Sequence, residues 1–198
     1  MPRPVLAYIR VIDAMNRFIG RITMYLIFVL IGVLLWSSVS KTFFNPSLWT
    51  LETAQFVMVA YYVLGGPYSI QLGSNVRMDL FYGSWSIRTK AWVDAFTVLF
   101  LMFYLGVLLY GAVGSTAYSL GYFGTEPFAW FWDLTKTLVT QGPAAAAQEL
   151  GFMERSSTAW RPFIWPVKTI LCIGLFLMLL QALAELFRDI GRIRGEAL

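Results

Sequence analysis

Long uncharged apolar stretches set the hydrophobic pattern of this sequence. Four of them occur, over residues 22–40, 53–76, 95–125 and 169–184. A helix rises about 1.5 Å per residue, and the hydrocarbon core of a bilayer is about 30 Å thick. As a helix, each stretch would be about as long as this thickness or longer. The pattern predicts an all-α integral membrane protein with four transmembrane helices.

We place the four spans at about residues 22–43, 52–74, 94–120 and 165–187, and the whole chain, 1–198, in a single membrane domain. The third stretch is about 46 Å long as a helix, so we expect its end to project or to break at Gly121 or Gly124. The last stretch is short. Its helix must therefore extend to Trp165 upstream and Phe187 downstream, with Lys168 snorkelling to the interface.

The segment before the first span has the period of an amphipathic helix. Its polar side carries Arg10, Asp13, Asn16 and Arg17. Its apolar side carries Val5, Tyr8, Ile9, Ile12, Met15, Phe18 and Ile19. This pattern predicts an interfacial helix over residues 1–21. A cleaved signal peptide is the weaker interpretation, because no small-x-small cleavage site follows the apolar run.

Two connections between the spans carry patterns of their own. Residues 77–94 alternate aromatic and charged side chains, which is typical of a segment lying along the membrane surface. Residues 121–164 form a long extramembrane connection with two predicted short helices. One follows the period of Phe128, Phe131, Leu134 and Leu138, and the other begins at Pro143 and closes before Gly151.

The basic residues predict the orientation of the chain. Ten of the 15 Lys and Arg residues lie near the two termini and in the segment 77–94, and the other five lie on the opposite side. Since positive residues favour the cytoplasm, both termini are predicted to be cytoplasmic and the 121–164 connection external. These residues flank apolar spans and form no single patch, so the net charge of +4 does not indicate a nucleic-acid partner.

Composition excludes several classes of function. With 58% hydrophobic and 13% charged residues, a soluble globular protein is excluded. The chain has no histidine, which removes the commonest metal ligand and every bis-histidine haem mount. Its single cysteine, Cys172, lies in the last span, where we expect a buried small side chain and no disulfide.

Motifs of catalysis are missing from the sequence. No glycine-rich phosphate loop, nucleophile elbow or paired-cysteine motif occurs, so we expect no enzyme activity and no cofactor. The charged residues nearest the spans lie at span ends, whereas proteins that move ions commonly carry ionisable groups at mid-depth. We therefore do not expect this chain to transport a solute alone.

The tripeptide Gly65-Gly66-Pro67 interrupts the second span. Proline removes an amide donor and crowds the preceding turn, so a kink or local unwinding is expected. Such a break is typical of substrate sites in some transporters, but small residues also permit close helix packing. Without a matching broken helix elsewhere in the chain, packing is the favoured interpretation.

Two further features have open interpretations. Arg77 and Asp79 lie two positions apart and so do not share a helix face; they fit a solvated interfacial loop and a partner-docking loop equally. The chain also carries 34 aromatic residues, several of them in span interiors, where they can contact lipid or another membrane protein. These interior aromatics are Tyr61, Tyr62, Phe100, Phe103, Tyr104 and Tyr110. We hypothesise that they form, with the Gly65-Gly66-Pro67 kink, a seat for a larger membrane partner.

Three segments together carry a resemblance to a known family. They are residues 51–68, the run Asn75-Val76-Arg77-Met78-Asp79-Leu80, and Trp165-Pro166-Val167-Lys168 with Gln181. In this order and spacing they resemble the DctQ family, the small membrane subunit of tripartite ATP-independent periplasmic (TRAP) transporters. The sequence departs from the family at Asn75, where histidine is common, and in its longer connection over 126–161.

The resemblance implies a role within a complex in the bacterial inner membrane. A large membrane subunit would house the substrate and sodium sites, and a periplasmic binding protein would capture the substrate, often an organic acid. This chain would scaffold the large subunit in sodium symport, a form of secondary active transport. Structural or subunit-contact positions implied by the resemblance are Glu52, Arg77, Asp79, Pro166, Lys168 and Gln181.

Two other classes of function stay open at this point. A stand-alone small-molecule-binding membrane module requires an enclosed polar cavity. A membrane enzyme subunit requires a cofactor or a nucleophile, and the sequence offers neither.

Overall fold

The computed structural model describes residues 1–73 and 82–195, and those residues form a helical bundle without strands. The segment with Asn75, Arg77 and Asp79 lies outside the described residues. In the described part, Arg155 and Phe163 form an isolated antiparallel β-bridge. The helices are α1 (Arg3–Thr23), α2 (Leu26–Phe43), α3 (Thr50–Leu72), α4 (Ile87–Ser119), α5 (Pro127–Thr140), α6 (Pro143–Gln148) and α7 (Trp165–Arg194).

Helices α1 and α2 follow one another with only Met24 and Tyr25 between them. The boundary agrees with the expected change from an amphipathic segment to an apolar span near residue 21. The α1 segment packs against α3 and α7, whereas α2 packs mainly against α3. The N-terminal helix is therefore an integral part of the bundle.

Three helical segments in the described part are long and apolar enough to cross a membrane. They are the combined Arg3–Phe43 segment, Ile87–Ser119 and Trp165–Arg194. Helix α3 has a sufficient length, but polar residues such as Glu52, Gln55 and Gln71 lower its mean hydropathy. Three of the four predicted spans are therefore long and apolar enough to cross a membrane. That α3 is the fourth span stays a proposal.

Helix α4 is longer than the sequence pattern predicted. It begins at Ile87, where the Ser86 hydroxyl accepts a hydrogen bond from the Thr89 amide at 3.2 Å. Residues 87–94, expected in a separate surface segment, form its first two turns. At about 50 Å it exceeds the bilayer core. It ends at Ser119, beside the expected break, and Gly121 follows with φ +91°.

Helix α7 is the centre of the bundle and contacts α1, α3 and α4. Small residues make this possible, because Ala182 and Ala184 are fully buried and Gly174 lies against α3. A Cβ atom at Gly174 would lie 2.8 Å from the Val63 carbonyl oxygen. Backbones therefore approach closely at this point, as in other membrane helix pairs with glycine at the contact.

The connection between α4 and α7 forms a cap over one end of the bundle. Both α5 and α6 begin with proline; the sequence predicts this start for α6 at Pro143, and the structure adds Pro127 at the start of α5. The Gly151 amide donates to the Leu120 carbonyl at 3.1 Å, and a Cβ atom at Gly121 would lie 2.6 Å from the Phe152 nitrogen. The cap is thus tied to the end of α4. We call this the cap end, and the opposite one, with both chain termini, the terminal end.

Candidate functional site

Glu52 is a buried carboxylate at the cap end. It lies in the first turn of α3 with only 3% of its surface exposed, where the helix dipole favours a negative charge. Its Oε1 atom accepts hydrogen bonds from the hydroxyls of Ser156 and Thr158. Among the described residues, its Oε2 atom has no partner. These hydrogen bonds therefore connect α3 to the loop before α7. We call Glu52, Ser156 and Thr158 the cap junction.

Lys168 fastens the same loop from the other side. Its ammonium group donates to Glu154 Oε2 at 2.6 Å and to the Ser115 carbonyl at 3.2 Å. The side chain thus reaches the end of α4 and is paired there, and its snorkelling to the membrane interface stays a prediction. Pro166, two residues earlier, occupies the first turn of α7, where its missing amide costs no helical bond.

Hydroxyl groups join α2 to α3 beside the cap junction. Ser40 and Ser47 lie 3.1 Å apart through their Oγ atoms, Ser47 donates to Thr50 Oγ1 at 3.1 Å, and Thr50 donates to Ser37 Oγ at 3.2 Å. Such bonds satisfy polar groups at the end of an otherwise apolar helix pair. The turn over residues 44–49 is held by side chains of both helices.

Gln181 organises a second polar cluster, near the terminal end. It is fully buried, its oxygen accepts from the Asn16 amide at 2.7 Å, and its nitrogen donates to Glu185 at 3.0 Å and Asp13 at 3.2 Å. Arg188 forms ion pairs with both of those carboxylates. We call these five residues the terminal junction; it connects α1 to α7.

The prediction that Asn16 lies on the polar outer side of α1 is wrong. That residue is only 1% exposed, because Gln181 offers it a partner inside the bundle. Helix α1 instead has three faces. The face toward the bundle comprises Ile9, Ile12, Asn16, Gly20 and Thr23. A basic face comprises the exposed Arg3, Arg10, Arg17 and Arg21, and an exposed apolar face includes Val11, Phe18 and Ile22.

The Gly65-Gly66-Pro67 segment lies inside the chain's own packing. Helix α3 runs through Pro67 without unwinding, and Pro67 is buried. Gly66 faces Met178 of α7, whose sulfur would lie 3.1 Å from an added Cβ atom. At Gly65 the nearest atom to such a Cβ would be the Thr23 methyl of α1, at 3.9 Å. Pro67 is therefore buried within the chain, whereas Gly65 and Gly66 are half-buried, and contact of this segment with a larger subunit stays a prediction.

The structure brings some of the sequence candidates together and separates others. Glu52 and Lys168 both bond the loop before α7, whereas Gln181 lies in the terminal junction; Arg77 and Asp79 lie outside the described residues. The sequence did not single out Asn16, Ser156, Thr158 and Arg188 as site residues. One signal existed for part of this set, because Gln181, Glu185 and Arg188 share a helix face and so require polar partners.

Two cavities open at the terminal end. One, of about 720 Å³, lies between α3, α4 and α7, and the other, of about 460 Å³, lies between α1, α3 and α7. Gln71 lines both, and its buried Oε1 atom has no partner among the described residues. Across the described ranges, no group of three or more His, Cys, Asp or Glu residues could hold a metal ion.

Helix α4 presents a long aromatic face to the outside of the bundle. It packs chiefly on α7, and the opposite side is exposed along its length. That side includes Phe96, Phe100, Phe103, Tyr104 and Tyr110, which we call the α4 aromatic face. Tyr104 lies near the middle of the helix and is 60% exposed, and the described residues offer its hydroxyl no hydrogen-bond partner.

Comparison of the sequence with models of known protein families finds a match to one family. The family described as the DctQ component of tripartite ATP-independent periplasmic transporters matches residues 30–192, which is most of the chain. Neither curated proteins nor solved structures yielded a match.

Proposed function

Since this chain belongs to the DctQ family of TRAP transporter components, we propose that it is the small membrane subunit that scaffolds a large membrane subunit. The complex would take up a small organic solute, in our proposal an organic acid, that a periplasmic binding protein delivers. Uptake would be symport driven by a sodium gradient. The chain itself would contribute neither a substrate site nor an ion site.

The α4 aromatic face is the observation that carries the scaffolding role. A phenol hydroxyl facing lipid at mid-depth lacks a hydrogen-bond partner, and such a group is costly in hydrocarbon. In the proposed arrangement Tyr104 would be in this position on α4, and a polar group of a neighbouring protein would satisfy it. Phe103, beside it, is 73% exposed. A large subunit seated on this face would bury both residues.

The polar clusters support the same role. In the described part, Gln181, Arg188, Glu52 and Lys168 are engaged with other residues of this chain. Their bonds fix α1, α3 and α7 relative to one another and to the cap. A rigid subunit of this kind suits a fixed support better than a moving transport element.

The proposed orientation has four crossings, α2, α3, α4 and α7, with both termini in the cytoplasm. Helix α3 would be the fourth, shielded by α2 and α7 on much of its surface. Helix α1 would lie near the cytoplasmic surface with its arginines toward water and Phe18 toward lipid. The cap would face the periplasm, where the binding protein arrives.

Co-purification and reconstitution test this proposal. When both subunits are expressed together, the large subunit is expected to co-purify with this chain in mild detergent. Liposomes with the complex, the binding protein and a sodium gradient should accumulate the solute, and liposomes with this chain alone should not. Uptake by the isolated chain would contradict the scaffolding role.

A stand-alone small-molecule-binding module is the second candidate. The cavity of about 720 Å³ between α3, α4 and α7 favours it, since Asp94, Asp189 and Arg192 supply polar walls. Binding of a small neutral or cationic solute to the isolated chain, measured by calorimetry, would support this alternative, since the lining carries Asp94, Glu185 and Asp189 against Arg192. Absence of binding together with retention of a large subunit would support the scaffold.

A further inference from the structure

Arg17 and Arg21 lie one turn apart on α1, and both line the cavity between α1, α3 and α7. The cavity has a volume of about 460 Å³ and opens to the outside. Both arginines are exposed, and within the described residues neither has a carboxylate partner. Two guanidinium groups thus face one opening without a counterion from the described chain.

The other charges around the cavity are already paired. Its carboxylates, Asp13 and Glu185, both hold Arg188, and Arg192 binds Asp189 at 2.8 Å. Because Asp13 and Glu185 share one arginine, that group keeps one negative charge, and Arg17 and Arg21 leave the cavity with a surplus of one positive charge. Paired guanidinium groups are well suited to phosphate, because their planar forks bind its oxygens in a bidentate manner.

The surroundings of the cavity suit a phosphate that carries acyl chains. Phe18 and Ile22 are exposed on α1 beside the two arginines, at 67% and 55%. Helix α1 continues into a segment apolar enough to cross a membrane. A phosphate held by the arginines would therefore lie at the edge of an apolar surface that can receive lipid tails.

Gln71 requires a hydrogen-bond donor from any molecule that fills the cavity. Its buried Oε1 atom lines the cavity and has no hydrogen-bond partner among the described residues. A buried acceptor of this kind is costly unless a donor reaches it. A headgroup hydroxyl or ammonium group would supply that donor.

We propose that the cavity between α1, α3 and α7 binds the headgroup of a glycerophospholipid that carries a hydrogen-bond donor. Arg17 and Arg21 hold the phosphate, Gln71 accepts from the headgroup, and the acyl chains lie along Phe18 and Ile22. Such a lipid fills the space between three helices at the terminal end and so stabilises the bundle.

Lipid binding to the purified full chain tests the proposal. The probes are phosphatidylglycerol, phosphatidylcholine with the same acyl chains, and inorganic phosphate. Native mass spectrometry counts retained lipids, and thermal unfolding reports stabilisation. We expect one tightly retained phosphatidylglycerol and weaker retention of phosphatidylcholine, whose headgroup has no donor. Inorganic phosphate should give little stabilisation because it lacks the apolar contacts.

Variants assign the binding to this cavity. The double variant Arg17→Gln/Arg21→Gln should retain phosphatidylglycerol roughly tenfold or more weakly, the scale of a lost hydrogen bond to a charged group. Arg10→Gln is the matched control, because Arg10 lies on the same exposed face of α1 but not in the cavity. It should bind like the unmodified chain. Should the double variant not insert, each single variant must still weaken binding.

Several outcomes would overturn the proposal. Equal retention by the unmodified chain and the double variant would do so, and so would an equally large loss in Arg10→Gln, which would show diffuse surface attraction. Equal stabilisation by inorganic phosphate would show a free-anion site, and equal retention of phosphatidylcholine would exclude the headgroup donor. A double variant that keeps its lipid but loses the large subunit would assign the cavity to the protein partner.

Discussion

The Asn16 side-chain amide donates a 2.7 Å hydrogen bond to the Gln181 side-chain oxygen, between residues 165 positions apart in the chain. Both side chains are buried. A hydrogen bond between two buried amides depends on the separation and the rotation of the helices that carry them. It therefore fixes how the N-terminal helix α1 lies on the central helix α7.

A double-mutant cycle measures that bond. Asn16→Ala and Gln181→Ala should each destabilise the chain by about 1–3 kcal/mol, because each leaves a buried polar partner unsatisfied. The double variant should lose less than the sum, with a coupling energy of about 0.5–2 kcal/mol. Thermal unfolding in detergent gives these values, with the exposed Gln148→Ala as control. Strict additivity would show that the bond does not form.

Glu52 is expected to hold the loop before α7 in place. In Glu52→Ala, Ser156 and Thr158 lose their common acceptor, so the loop should open and trypsin should cleave faster after the exposed Arg155. Stability should fall by about 1–3 kcal/mol.

The control for this experiment is Glu126→Ala, which removes an exposed carboxylate near the other end of the cap. Glu52→Gln keeps one acceptor oxygen and should give an intermediate cleavage rate. Identical cleavage rates in Glu52→Ala and Glu126→Ala would contradict the assigned role.

Four glycines should differ in their response to alanine. Gly174→Ala should cost most, about 1–3 kcal/mol, because the added Cβ meets the Val63 backbone, which cannot move aside. Gly66→Ala should cost less, since the flexible end of Met178 can shift. Gly65→Ala has an ordinary contact, and Gly32→Ala meets no atom within 4 Å, so neither should destabilise. Melting temperatures of the four variants check the order, and a Gly65 variant as unstable as the Gly174 variant would refute it.

The α4 aromatic face should be needed for assembly. Phe103→Ala and Tyr104→Ala are expected to reduce the amount of large subunit retained after mild detergent purification, because they remove packing and a hydrogen-bonding group from the proposed seat. Phe28→Ala on α2 is the control, since Phe28 is 67% exposed on a different helix. The proposed seat is excluded if all three variants insert normally and retain equal amounts of partner.

Cysteine labelling should establish the orientation. Starting from Cys172→Ala, a cysteine introduced by Ala144→Cys in the exposed part of α6 should react with an impermeant maleimide added outside the cell. One introduced by Ala7→Cys in α1 should react only after the membrane is opened. The reverse pattern would place the cap in the cytoplasm and refute the assignment based on Lys and Arg.

The sequence by itself determined most helices of this protein, although α4 begins, and α7 ends, about two turns beyond the predicted bounds. Uncharged runs of bilayer length indicated α2, α4 and α7, and Pro143 marked the start of the second cap helix. The pattern predicts the break after α4 at Gly121 or Gly124, and the helix ends just before Gly121. These features depend on a residue's neighbours within a few turns, because helical hydrogen bonds and apolar periodicity are local. The family resemblance also came from order and spacing along the chain.

Only the tertiary structure decided which polar residues are buried. Asn16 belongs to the polar pattern of an amphipathic helix, yet it is buried because Gln181 of α7 lies opposite. Glu52 finds its hydroxyl partners more than 100 positions later. Gly66 and Gly174 serve contacts between α3 and α7. Side-chain pairing across helices depends on which helices become neighbours and how each is rotated, and the local pattern of a single helix carries no information on either.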